Sequence, residues 1–248
     1  MKHISLSLRD PGGDGKLHLK TGPEEDGETL MFVGHYSAAL AAKAVEPRAP
    51  LWTYVAAAQL VDIGWSALVI AGVEKVRIDP SLPGSDLDLY FMPYTHSLPG
   101  ALLSALAAAL LARWLLKLPV AAAAMVGLTV FSHWFLDFLV HRPDLPLWFG
   151  GPKVGLAWWN HPLPEMALEI GLVVVAGAAW AWRRGAAGRT GWPALTFVAI
   201  LVAVAVIGSM GGAGGDDAVS MGVTALVTYL VLTVIAWLVD RGPKQRLA

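Results

Sequence analysis

The sequence predicts an all-α fold, a polytopic transmembrane helical bundle with six full spans and one short N-terminal apolar helix. Three observations lead there. Hydrophobic residues make up 56% of the 248-residue chain and mean hydropathy is +0.56. Charged residues are 15%, well below the roughly 25% of soluble domains. The apolar residues gather into long runs, about 20 residues being needed to cross the hydrocarbon. Such a composition excludes an ordinary cytosolic enzyme, a disordered chain and a nucleic-acid binder that depends on a basic surface. No nucleic-acid partner is expected.

Residues 1–30 hold ten charged side chains and no apolar core of a signal peptide follows them. They read as a polar, disordered tail, with Met31 as the candidate start of the chain. A short apolar run at 31–44 comes next, too short for an ordinary span. The predicted full spans cover 51–72, 98–116, 119–140, 165–182, 193–210 and 221–239. One transmembrane domain thus occupies 31–240, ahead of a short basic tail at 241–248.

Basic residues in short loops set orientation. Lys43 and Arg48, Arg113 and Lys117, Arg183, Arg184 and Arg189, and Arg241, Lys244 and Arg246 alternate consistently as cytoplasmic, which puts the C-terminus inside. Loops 73–97, 141–164 and 211–220 then share the opposite side. Trp148, Trp158, Trp159 and Trp192 flank the spans and read as interfacial anchors.

Six ionisable residues fall within or at the edges of the apolar runs: His35, Asp62, His96, His133, Asp137 and His141. Each costs roughly 2.5–3.5 kcal/mol at the centre of a span, so function is the default reading. His133, Asp137 and His141 recur every four residues, which puts them on one helix face within about 80°. Side chains one turn apart can grip one ion, the imidazole and the carboxylate each giving a lone pair. The plainer alternative is that His133 and Asp137 pair with each other, that a protonated Asp62 hydrogen-bonds to Gln59, and that His35 and His96 are incidental.

Depth favours a shared site. Asp62 lies about 8 residues from the outer end of its predicted span and His133 lies 7 from Val140, so both sit some 10–12 Å deep at 1.5 Å per residue. The chain has no Cys, which leaves His, Asp and Glu as ligands and zinc or manganese as the expected divalent metal. One ion or two could be held. Secondary candidates are His161, Glu165, Glu169 and Asp144, together with Arg142, which could hold a phosphate or sit in a surface salt bridge.

Gly34-His35-Tyr36, Val61-Asp62-Ile63, Tyr94-Thr95-His96-Ser97-Leu98 and Ser132-His133-Trp134 through Asp137 resemble a family of bacterial membrane-bound metal-dependent hydrolases, also described as LexA-binding and inner-membrane-associated. The resemblance covers residues 31–170 and implies a multi-span inner-membrane protein with His35, Asp62, His96, His133 and Asp137 as metal ligands. One departure stands out. The family's Pro-Asp-x-Asp reads Val61-Asp62-Ile63-Gly64 here, so the second Asp is missing, and His141 is a candidate replacement.

The leading expectation is a hydrolase that uses metal-activated water on a membrane-accessible ester or phosphoester, with Asp62 handling the proton and Arg142 steadying the oxyanion. The alternative is a proton- or ion-coupled transporter, because intramembrane His and Asp also form proton relays. The partners expected are the lipid bilayer and a lipid-like or phosphoester substrate.

Overall fold

A computed structural model describes residues 33–210, 215 and 217–241. The N-terminal tail, most of the glycine-rich loop and the basic tail after Arg241 lie outside the described residues. The helices are α1 (Tyr36–Val45), α2 (Leu51–Ala58), α3 (Leu60–Ile70), α4 (Leu98–Trp114), α5 (Val120–Val140), α6 (Pro162–Ala186), α7 (Trp192–Ser209) and α8 (Ala218–Asp240). Two small antiparallel hairpins interrupt them, β1 (Lys75–Ile78) with β2 (Leu87–Phe91) and β3 (Leu145–Pro146) with β4 (Lys153–Val154).

Local chemistry marks the helix ends. Pro50 and Pro119 precede α2 and α5, and α6 opens on Pro162. These positions cost little, since the first amides of a helix lack partners anyway. Ser97 caps α4 by accepting the Gly100 amide, and Asp217 with Ser220 forms a capping box at α8.

The chain is a helical membrane protein, and the expected six full spans are not confirmed. Among the described residues, four helices, α5 to α8, are long and apolar enough to cross a membrane, and a fifth span exists only if α2 and α3 count as one helix bent by 50°. The break falls at Gln59, inside the stretch that hydropathy reads as continuous. α4 is 17 residues long, about 25 Å at 1.5 Å per residue and short of the ~30 Å hydrocarbon.

Small residues bring α4 and α5 together. A Cβ on Gly127 would stand 2.9 Å from the Ala105 carbonyl oxygen, so the two backbones touch where a larger side chain would part them. Leu102, Leu103 and Leu106 point outward and are more than half exposed, as lipid-facing residues are.

Both hairpins sit at the end of the bundle where α3 and α5 finish and α4, α6 and α8 begin. They form a cap. Arg142 clamps it by donating to the carbonyls of Pro83, Ser85 and Leu87 and to Asn160 Oδ1. Lys153 donates to the Tyr90 carbonyl. Gly84 has φ +78°, and a Cβ there would collide with the Trp159 carbonyl, so the cap closes at that point only around glycine.

Candidate metal centre

Each candidate ligand reaches the centre from a different local structure. His35 ends a 3-10 turn, Val33–His35, just before α1. Glu169 of α6 fixes that turn by accepting the Val33 and Gly34 amides, and glycine at 34 lets its carboxylate approach closely, since a Cβ there would stand 3.1 Å from Oε1. Asp62 lies in the first turn of α3, where the helix dipole favours a carboxylate. His96 sits in the turn before the Ser97 cap. His133 and Asp137 share a face of α5. His141 is the residue that ends α5, in extended conformation, so the expected third step of the helical repeat falls just past the helix.

The structure brings all six together around Asp137. Its Oδ2 lies 3.2 Å from His133 Nε2 and 3.6 Å from His96 Nε2. Its Oδ1 lies 2.9 Å from His35 Nε2 and 3.5 Å from His141 Nε2. Asp62 Oδ1 completes the first group, 3.3 Å from His96 Nε2 and 3.4 Å from His133 Nε2. All but Asp62 are buried, and the His35 and His133 rings stack at 4.0 Å.

Outer partners orient three of the imidazoles. His133 Nδ1 donates to the Ala58 carbonyl at 2.8 Å, immediately before the helix break at Gln59. A carbonyl only accepts, so this bond puts the proton on Nδ1. Thr95 spends its single hydroxyl proton on Glu74 Oε2 at 2.6 Å and therefore accepts from His96 Nδ1 at 2.9 Å. His141 Nδ1 meets Asp144 Oδ1 at 2.9 Å. In all three the Nε2 lone pair faces inward.

Two of the inward atoms, His133 Nε2 and Asp137 Oδ2, are buried with no hydrogen-bond partner, although they are 3.2 Å apart. Two acceptors that close repel in a low dielectric unless a proton or a metal cation lies between them. The spacing suits a metal cation: the ligand atoms of Asp62, His96 and His133, and likewise those of His35, His133 and Asp137, all lie within 4.8 Å of one another. A buried His and Asp group that can hold a metal ion is therefore present.

A cavity of about 50 Å³, room for a few waters, opens on the cluster. Asp62, Asp137, His96 and His141 reach it, and Trp65, Leu89, Trp159, Met221 and Tyr229 are among its walls.

The other sequence candidates fall elsewhere. Arg142 does not line the cavity; its guanidinium is spent on the cap, so the oxyanion role expected of it gives way to that of a clamp. His161 is exposed at the start of α6. Glu165 is buried with neither oxygen partnered. Trp159 is 5% exposed and lies 4.1 Å from the His141 ring, so it is a wall of the site and not an interfacial anchor, whereas Trp148 and Trp192 are exposed.

Sequence reasoning missed Glu74, Thr95 and Tyr229. Glu74 is 1% exposed and takes the Tyr94 and Thr95 amides as well as the Thr95 hydroxyl. Tyr229 of α8 donates to Asp62 Oδ2 at 3.3 Å. A tyrosine in an apolar helix carries no signal of that partner 167 residues away. Comparison with protein families, curated proteins and solved structures finds no match to this chain.

Proposed function

We propose that this chain is a metal-dependent hydrolase of the bacterial inner membrane, with its C-terminus cytoplasmic, acting on a membrane-accessible ester or phosphoester such as a lipid headgroup. The observation that carries the reading is the pair of orphaned acceptors, His133 Nε2 and Asp137 Oδ2, inside a ring of inward-facing nitrogens and carboxylates. The nitrogen and oxygen donors suit zinc or manganese. A bound divalent ion there supplies a Lewis acid and a hydroxide at near-neutral pH. The motif resemblance to inner-membrane metal-dependent hydrolases supports the same assignment.

The chain's own groups divide the remaining work. Glu74 through Thr95, the Ala58 carbonyl and Asp144 hold three imidazoles with Nε2 inward, the arrangement that raises ligand basicity. Asp62 stands on the cavity wall with Oδ2 bonded to Tyr229, placed to take up and return a proton. Trp65, Leu89 and Met221 keep bulk water away and offer an apolar seat beside the reacting group.

One feature favours the transporter alternative. The α2–α3 break lies three residues from Asp62, and discontinuous helices line ion sites in transporters. Purified protein separates the two. Hydrolase function requires retained transition metal, lost in the double variant His133→Ala/Asp137→Ala, and chelator-sensitive hydrolysis of bis(p-nitrophenyl) phosphate or of phospholipid in vesicles. Metal-free protein that drives pH-gradient-dependent uptake, abolished by Asp62→Asn, would reverse the assignment.

A further inference from the structure

We propose that the centre holds two divalent ions, bridged by Asp137, with Asp62, His96 and His133 on the Oδ2 side and His35 and His141 on the Oδ1 side. The inference rests on the metal-centre reading and deepens it by fixing the number of ions. Asp137 divides its contacts evenly. Oδ2 faces two imidazole nitrogens at 3.2 and 3.6 Å, and Oδ1 faces two others at 2.9 and 3.5 Å. Oδ1 hydrogen-bonds to His35 Nε2, and both of its imidazoles are buried, at 5% and 4% exposure.

Donor number points the same way. The six residues bring seven inward atoms, counting both oxygens of Asp137, and a tetrahedral ion takes four. Asp62 Oδ1, His96, His133 and Asp137 Oδ2 fill one ion. Asp137 Oδ1, His35 and His141 then give three protein ligands to a second, leaving it a position open for water or substrate, as catalytic ions have. His141 also has the outer carboxylate, Asp144, that ligand histidines characteristically keep. Both His35 and His141 line the cavity, so the open position faces the space a substrate would enter.

Two ions about 3.5–4 Å apart are the arrangement that clamps the attacking and leaving oxygens of a phosphoester. A phosphoester headgroup is a substrate class that such a pair suits.

The test is metal stoichiometry on the full chain in detergent, loaded with Mn²⁺ or Zn²⁺ and freed of excess. The expected result is two ions per chain in wild type, one in His35→Ala and in His141→Ala, and none in Asp137→Ala. Because an alanine variant can fail to fold, the wild type carries a second readout. At full Mn²⁺ loading its electron paramagnetic resonance spectrum should be that of a spin-coupled pair. One ion in wild type, or two with uncoupled spectra, overturns the bridged pair and leaves the metal centre standing. No ion in wild type overturns both.

Discussion

The two ends of the bundle each bury charge, and they do so in opposite ways. At the end away from the cap, Lys43 is buried and spends its three ammonium protons on the Pro47 carbonyl at 3.2 Å, the Ala49 carbonyl at 2.8 Å and Asp240 Oδ2 at 2.9 Å. The same Asp240 oxygen accepts the first amide of α2, Leu51. That knot is saturated. It ties α1, α2 and α8 together and leaves no proton of the ammonium free for a ligand. At the capped end, six ionisable side chains crowd together, and His133 Nε2 and Asp137 Oδ2 make no hydrogen bond. Buried charge alone therefore does not mark the site here, nor does a single unpartnered group such as Glu165; unspent lone pairs converging from several residues do, because leaving them unmet is costly without a ligand.

If that contrast is right, substitutions at the two ends should separate metal binding from stability. The largest effect is expected from Asp137→Ala, which should remove bound metal entirely while the far end stays intact; elemental analysis of purified protein checks it. Lys43→Ala should do the reverse, costing about 3 kcal/mol by stranding Asp240, read as a lower unfolding midpoint in detergent with metal content unchanged. Replacing both partners, Lys43→Met with Asp240→Leu, should restore most of that stability, since an apolar pair needs no partners. Metal loss in the Lys43 variants would break the comparison.

Smaller effects sharpen it. Glu74→Gln weakens the anchor behind His96 and should lower metal affinity by about tenfold or more, measured by competition with a chelator. Tyr229→Phe frees Asp62 Oδ2 and should cost about tenfold at most, with no added effect on an Asp62→Asn background. Arg142→Ala should leave metal affinity unchanged and instead expose residues 79–88 to protease, because its donors hold the cap.

Much of the site was legible because the signal was local. An i, i+4 repeat of His133 and Asp137 within an apolar run states both the helix and the shared face. Polar residues such as His35, Asp62 and His96 stand out against apolar neighbours whatever the fold. The partners that orient them were not legible. The Ala58 carbonyl has no side-chain signature, and the break at Gln59 is hidden because Gln59 sits among residues of high helix propensity and hydropathy. Trp159 was misread for a related reason: tryptophans at span ends favour the interface, and only the loop packed back over α5 turns this one toward His141.

The sequence by itself determined the solvent and the donor chemistry: an apolar helical chain, without cysteine, carrying a few histidines and aspartates that the membrane would otherwise exclude. Tertiary structure decided how many helices are long enough to span, which nitrogen of each imidazole faces inward, and that Arg142 clamps a cap while Lys43 closes a knot. The physical reason is range. Burial of a side chain is set by its own transfer free energy and its neighbours on the helix, but a bond angle or an unmet lone pair depends on atoms 75 to 167 residues distant along the chain.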